Sequence, residues 1–249
     1  MTYNDIIEKF KIEYDKANVT SSYPSFTDYE ICTILDKSYL NLIAQKFTGN
    51  NTRRAPFEAD NKAISDLQQL VVTTQKSFEF DSSLKYSNMI WADLPEDFLY
   101  YIKAQLIADY DDANRLDSKG ANLQGDLYLP IQLVTHDIAK RFESTPYNMP
   151  WIKSPVGYIE NDKLYVLYDI MLHANYIIGS GDCEIAITYV KKPMLFVKWL
   201  EDGDEDPNTN FSLNDEMAEA LISLAVTYSL ENVESPRLNT HVGVKGLES

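Results

Sequence analysis

The segment from Ser212 to Ser235 constrains the fold of this chain more than any other. It reads SLNDEMAEALISLAVTYSLENVES, and its middle is apolar on nearly every side of the predicted helix. A helix that is apolar all round has to be buried all round, either in a domain core or against a neighbouring subunit. No catalytic motif in the sequence is equally clear, so we expect packing to dominate the role of this segment.

Length and charge limit the classes of protein that this chain can belong to. Its 249 residues, 45% of them hydrophobic, suffice for one large domain or two small ones. The net charge is -16, from 22 basic and 38 acidic residues. Because nucleic-acid binding relies on Lys and Arg, this balance argues against a dedicated nucleic-acid binder. It remains compatible with a surface that DNA passes without adhering.

The chain shows no targeting or membrane signal. Its first residues, MTYNDIIEKFKIEYDKAN, are charged throughout and lack the apolar core of a signal peptide. No stretch reaches the apolar length of a membrane span. We therefore expect a soluble protein that is made and kept in a cytoplasm. Two cysteines, Cys32 and Cys183, do not form a disulfide scaffold, and we expect both to be buried free thiols.

The N-terminal part of the chain predicts three helices. The first covers residues 4–16 and carries Ile6, Ile7, Phe10 and Tyr14 at helical spacing. Thr27 and Glu30 have the spacing of a capping box, which predicts a second helix that runs to about Phe47. The third is predicted over residues 57–74, with an apolar stripe of Ala63, Leu67, Leu70 and Val71. Between the last two lies a polar segment with Arg53 and Arg54.

The middle of the chain favours strands. From Lys76 the hydrophobic period approaches two, and residues 100–108 alternate as in a strand, although a helix fits there as well. Residues 109–125 predict an acidic loop, residues 131–142 a short helix, and residues 145–150 a loop fixed by prolines. Residues 156–159 and 164–168 predict a hairpin around Glu160–Lys163, and residues 183–190 another strand.

Helices at both ends and strands between them predict an α+β fold rather than a βαβ parallel sheet. We expect a single domain over residues 1–249, in which N- and C-terminal helices form a bundle around a central antiparallel β subdomain. Its helical parts cover about 1–75 and 212–235. The β-rich insertion covers about 76–195, and residues 236–249 form a tail without periodicity.

No set of residues has the spacing of a known catalytic, cofactor or metal site. The acidic run 202–206 fails as an EF-hand, because Pro207 and Leu213 occupy the positions that require Gly and Glu. It predicts a solvated loop, with weak cation binding left open. His136, His173 and His241 lack zinc spacing. His136 beside Asp137 is a poor base-and-orienter pair, because adjacent helical residues diverge.

Two other groups of charged residues are best interpreted as surface residues without a catalytic role. Asp109, Asp111 and Asp112 offer carboxylates, but no second element opposes them as a glycosidase requires. Arg53 and Arg54 are too few to offset the surrounding acid, and we expect an intersubunit salt bridge or solvent exposure. The sequence therefore predicts no catalytic residues, no cofactor and no metal.

Four segments together resemble a known family. They are Leu94-Pro95-Glu96-Asp97-Phe98, Thr145-Pro146-Tyr147-Asn148, Ile187–Pro193 and Leu230–Leu238. In this order they resemble the head–tail connector, or ring, proteins of tailed double-stranded DNA phages, especially those of crAss-like phages. The resemblance covers about residues 25–238. Such proteins carry no catalytic residues, so the resemblance implies a structural protein rather than an enzyme.

The resemblance also implies partners and a location. Connector proteins form a ring, often twelvefold, below the portal at the head–tail junction of the virion. The expected partners are further copies of the chain in a dodecameric ring, the portal protein, and other connector or tail ring proteins. Double-stranded DNA would pass through the lumen without sequence-specific binding, and no membrane is involved. An acidic lumen would repel the DNA phosphates.

Two alternatives from other classes stay open. The first is a carboxylate-dependent glycan hydrolase that uses a pair drawn from the aspartates at 109–112 and another element. The second is a carbohydrate-binding module or adhesin that uses some of the 17 tyrosines as sugar platforms. An exposed, planar cluster of tyrosines would favour the second.

Overall fold

The fold is α+β, and its described residues belong to two compact units. This computed structural model describes residues 1–17, 26–48, 61–80, 89–116, 122–144, 150–151, 154–168, 184–201 and 209–232. The first unit comprises Met1–Leu70 and Pro193–Ser249, and its described elements are helical. The second comprises Val71–Lys192 and is mainly β-sheet. The β unit is therefore an insertion in the sequence of the helical unit.

The described elements follow one another along the chain as helices, strands and helices again. The helices are α1 (Tyr3–Ala17), α2 (Asp28–Thr48), α3 (Asn61–Leu67), α4 (His136–Ser144), α5 (Phe196–Glu201) and α6 (Asp215–Asn232). The strands are β1 (Val71–Ser77), β2 (Glu79–Phe80), β3 (Met89–Asp93), β4 (Phe98–Leu116), β5 (Asn122–Leu133), β6 (Val156–Glu160), β7 (Lys163–Leu167) and β8 (Glu184–Lys191).

The predictions for α1 and α2 are confirmed. The four apolar residues expected on one face of α1 are all buried. At the start of α2 the Glu30 carboxylate accepts a hydrogen bond from the Thr27 N–H at 2.8 Å, and the Glu30 N–H donates to Thr27 Oγ1 at 3.3 Å. This reciprocal pair is the predicted capping box, and it satisfies N–H groups that the first helical turn leaves without partners.

The predicted third helix is too long. Helix α3 ends at Leu67, a 3-10 turn covers Gln68–Leu70, and strand β1 begins at Val71. Residues 71–74 are Val-Val-Thr-Thr, four β-branched side chains that favour an extended backbone. Val71 was misassigned because it continues the apolar spacing of Leu67 and Leu70.

One eight-stranded sheet, in the order β1-β8-β4-β5-β6-β7-β3-β2, forms the β unit. All the pairs are antiparallel except β5 with β6, which are parallel at Gln132 and Leu133. The sheet curls, and inward-facing residues of β3, β4, β5, β7 and β8 share one core with Ile90, Leu106 and Ile187 at its centre. Strands β1 and β8 pair with Val71 opposite Val190, so the insertion starts and ends side by side.

One prediction in the middle of the chain is wrong, and a second is only partly right. Residues 109–125 were expected to form a loop, but most belong to the long β4–β5 hairpin, in which Asp109 pairs with Asp126 and Asp111 with Gln124. Residues 131–142 were expected to form a helix; residues 136–142 do lie in α4, but residues 131–133 belong to β5, which continues to Leu133. In both places the backbone pairing across the hairpin prevails over the local polarity of the sequence.

The remaining strand predictions are confirmed. Residues 100–108 lie in β4, and residues 184–190 of the last predicted strand lie in β8. The predicted hairpin is β6–β7, with Asn161 and Asp162 at φ 50° and 57° in the turn. These left-handed conformations are those of a type I′ turn, which suits the twist of the flanking strands. Asn and Asp tolerate them better than most residues.

Candidate interaction surface

The terminal helix α6 is not buried all round within this chain. Eight side chains are buried, in pairs that recur every four residues from Met217-Ala218 to Ser229-Leu230. Glu219 and Ala220 are exposed, and Ser223, Leu224, Thr227 and Tyr228 are half-buried. The expectation of burial on every side is therefore wrong for the isolated chain. The half-buried side of α6 is apolar enough to pack against another surface.

Helix α6 begins where the sequence supplies a cap. Asn214 Oδ1 accepts a hydrogen bond from the Met217 N–H at 2.8 Å, and Asp215 and Glu216 follow in the first turn. A side-chain acceptor and negative charge both stabilise a helix N-terminus. These residues explain why the helix begins at Asp215 rather than at Ser212, the start of the predicted segment.

Opposite sides of α6 contact α1 and α2. The Lys9 ammonium of α1 bonds to the Glu219 carboxylate, whereas the Asn41 amide of α2 bonds to the Tyr228 hydroxyl. Glu219 and Tyr228 are nine positions apart, about two and a half turns of helix. They therefore point to opposite sides of α6, and α6 lies between α1 and α2.

An aromatic cluster fills the core of the helical unit beside α5. The Tyr3 ring stacks on Trp199 at 5.5 Å between centroids and meets the edge of Phe196 at 4.8 Å. Tyr39 and Phe211 complete the cluster at 4.9 Å from each other. Burial raises the pKa of the Tyr39 hydroxyl well above its ordinary value. These tyrosines are core residues and present no surface to a ligand.

Two outward helix faces of this unit carry large apolar side chains. On α2, Tyr29 is 56% exposed and Leu40 is 39% exposed. On α1, Ile12 is 52% exposed between the exposed acids Glu8 and Asp15. Single exposed apolar residues are ordinary, but side chains that share a helix face with complementary charge suit a protein contact. These are the candidate interaction surfaces of the helical unit.

The β unit has exposed apolar residues of its own. Trp151 is 67% exposed and Tyr128 is 56% exposed, and Leu133 and Ile138 are also open to solvent. Tyr128 and Leu133 lie in β5 and Ile138 lies in α4, whereas Trp151 follows α4 in the sequence. The exposed tyrosines of the described residues, Tyr29 and Tyr128, belong to different units. No planar cluster of exposed tyrosines is therefore found in either unit as described.

Among the described side chains, those with possible chemistry are not brought together into a site. Asp109, Asp111 and Asp112 lie on β4, and their side chains lie outside the described part of the structure. His136 starts α4, and its ring lies 5.2 Å from that of Tyr158. Its Nδ1 is 4.0 Å from the Glu160 carboxylate, and both side chains are more than half exposed. Asp137, which was considered and rejected as a partner from the sequence, is not the residue that lies near this ring.

Other predicted features can be placed only in part. Cys32 is a buried free thiol, as expected, and burial raises its pKa to about 11, which makes it inert at neutral pH. Cys183, His173, His241, Arg53, Arg54, the acidic run 202–206, the loop 145–149 and the tail 236–249 lie outside the described residues.

The described residues hold no group of three or more His, Cys, Asp or Glu side chains that could bind a metal ion. None of the described helices is long and apolar enough to cross a membrane. A comparison with protein-family models finds no match for this chain, and a comparison with the sequences of curated proteins finds none either. The case for a function therefore depends on the residues themselves.

Proposed function

We propose that this chain is a structural virion protein that forms a ring in the head–tail connector of a tailed double-stranded DNA phage. The ring, with twelve copies as its expected number, gives the DNA a passage and gives tail parts a docking surface. It sits at the head–tail junction, after synthesis in the host cytoplasm. The portal protein and other connector or tail rings are its neighbours, and the chain acts without catalysis.

One observation carries the structural proposal. Helices α1 and α2 flank α6 and turn large apolar side chains outward, among them Ile12, Tyr29 and Leu40. Large apolar side chains that share an exposed helix face with charged residues suit a subunit that buries them against its neighbours. In this proposal the helices from both ends of the chain form a bundle that mediates subunit contacts, and the β unit is its central antiparallel subdomain.

Charge supports the passage of DNA through the ring. The chain has a net charge of -16, so twelve copies would carry a large negative charge around the lumen. Like charges repel the DNA phosphates, and no counterions are released by contact with Asp and Glu. DNA would therefore slide past the ring without sequence-specific binding.

No second function is proposed. A glycan hydrolase needs two opposed carboxylates, and a carbohydrate-binding module needs an exposed aromatic platform. Within the part of the chain that the structure describes, no observation favours either arrangement.

The proposal is tested by the oligomeric state of the chain in solution and in the particle. Native mass spectrometry of the purified chain is expected to show a closed ring of defined copy number. Cryo-electron microscopy of the phage that encodes it is expected to place that ring beneath the portal. A chain found only as isolated monomers, away from the portal vertex, would contradict the proposal.

A further inference from the structure

We propose that neighbouring copies join through two different faces of the helical unit, α2 of one copy against α1 of the next. This contact rests on the proposed ring function and names the surfaces that build it. The α2 surface consists of Tyr29, Thr33, Lys37 and Leu40. The α1 surface consists of Glu8, Ile12 and Asp15. All seven side chains are exposed in the isolated chain.

The α2 surface is an apolar strip with one cation. Its residues are three or four positions apart, so they line one side of the helix. Within the described residues Lys37 forms no ion pair, and its Nζ lies 5.1 Å from the centre of the Tyr228 ring. Lys46 and Lys62, by contrast, bond to Asp66 at 2.7 Å and to Glu216 at 2.6 Å. The strip therefore offers a positive charge that no described acidic residue neutralises.

The α1 surface has the opposite charge around a similar apolar centre. Ile12 lies four positions after Glu8 and three before Asp15, so both carboxylates flank it on one face. Two lysines of α1 beside this face are already paired, Lys9 with Glu219 and Lys11 with Asp28. In the described part of the chain neither Glu8 nor Asp15 has an ion-pair partner.

The charges of the two surfaces favour a head-to-tail contact. The surfaces lie on different helices, which bond to α6 through Glu219 and Tyr228 and meet each other at the Lys11–Asp28 ion pair. A contact of α1 with α1 would bring four carboxylates together, which like-charge repulsion opposes. A contact of α1 with α2 pairs Ile12 with Tyr29 and Leu40, and the carboxylates with Lys37. Contacts between unlike faces repeat from copy to copy and form a ring when the rotation between copies closes.

Charge reversal tests this contact in the full-length chain. Native mass spectrometry and light scattering would follow the ring for Lys37→Glu, Asp15→Lys and the double variant, with circular dichroism to check folding. Each single reversal turns an attraction into a repulsion and is expected to weaken assembly on the order of tenfold. The double variant restores the attraction with its polarity exchanged and is expected to recover most of the loss.

A matched control variant and two possible results test the contact between α1 and α2. Lys198→Glu reverses an exposed charge on α5 that belongs to neither surface, and it should assemble like the original chain. If the original chain forms rings and all the charge-reversal variants assemble equally well, the proposed contact is wrong, but the proposed ring function is not contradicted. If the original chain stays monomeric in solution and in particles, both the ring function and the contact are wrong.

Discussion

The Asp36 carboxylate of α2 accepts a hydrogen bond from the Phe196 N–H at 2.6 Å, across 160 positions of sequence. Its second oxygen accepts from the Val197 N–H at 3.1 Å. These N–H groups open α5, where a helix has no internal acceptors, so a single aspartate caps the helix from another segment. The bond ties the chain before the β insertion to the chain after it.

Removal of this cap should destabilise the fold. Asp36→Ala leaves two backbone N–H groups without acceptors, one of them buried, and is expected to lower the free energy of unfolding by about 2 to 4 kcal/mol. Asp36→Asn keeps one amide oxygen as an acceptor and should cost about half as much. Urea unfolding followed by circular dichroism measures both. An Asp36→Ala chain within about 0.5 kcal/mol of the original would show that the cap carries no stability.

The same aspartate gives the stability a pH dependence of unusual sign. Burial raises the pKa of Asp36, and the two backbone hydrogen bonds offset part of that rise. The folded chain therefore binds a proton at Asp36 more tightly than the unfolded chain does. The contribution of Asp36 to stability is largest below the ordinary aspartate pKa and falls as the pH rises through the raised pKa.

Comparison with Asp36→Asn isolates this effect, because asparagine does not titrate. The difference in unfolding free energy between the original chain and Asp36→Asn is expected to fall as the pH rises from about 3 to about 7. Urea unfolding at each pH measures the difference. A difference that increases with pH would mean that the hydrogen bonds, rather than burial, dominate the pKa of this group.

Gly157 of β6 should not tolerate a side chain. A Cβ atom there would lie 2.8 Å from Ile131 Cγ2 and 3.1 Å from the Tyr165 carbonyl oxygen, closer than packed atoms allow. Gly157→Ala is expected to lower the free energy of unfolding by about 1 to 3 kcal/mol through overpacking. The change Ile131→Ala removes the crowded Cγ2 atom, so the double variant Gly157→Ala with Ile131→Ala is expected to lose less stability than the sum of the two single variants. Additive losses would point to strain at the Tyr165 backbone instead.

The β unit should fold without the helical unit. It has its own cores around Ile90 and Met89, and its chain enters and leaves through the adjacent strands β1 and β8. A fragment of residues 71–192 is expected to show cooperative thermal unfolding and a dispersed NMR spectrum. A fragment of residues 79–192 lacks β1, the partner of β8, and should be less stable. A disordered 71–192 fragment would show that the sheet depends on the helical unit.

Much of this fold could be predicted from sequence where local signals and tertiary packing agree. The apolar period of α1, the Thr27–Glu30 box and the Asn161-Asp162 turn each specify their element through neighbouring residues alone. The β4–β5 hairpin could not be predicted in this way. Its outer part, with Asp109 and Asp111, is polar, and it is extended because the two strands pair with each other.

The candidate surfaces were missed for a related reason. Tyr29, Leu40 and Ile12 have the composition of core residues, and only the packing of α1 and α2 on α6 shows that they face solvent. The α6 pattern was interpreted as burial on every side because Leu224 and Tyr228 are apolar. Half-burial of these two residues depends on how closely α2 approaches, which no local pattern encodes.

Leu221 and Leu224 separate the folding role of α6 from any role in assembly. Leu221 is fully buried, whereas Leu224 lies on the half-buried side of α6, together with Ser223, Thr227 and Tyr228. Leu221→Asp places a charge in the core and is expected to unfold the helical unit. Leu224→Asp should fold, with a loss of about 1 kcal/mol, because its carboxylate can reach water. Circular dichroism and native mass spectrometry distinguish the two effects. A folded Leu224→Asp chain that no longer forms rings would place the half-buried side of α6 at a subunit contact. Unchanged rings would show that this side of α6 faces solvent in the assembly.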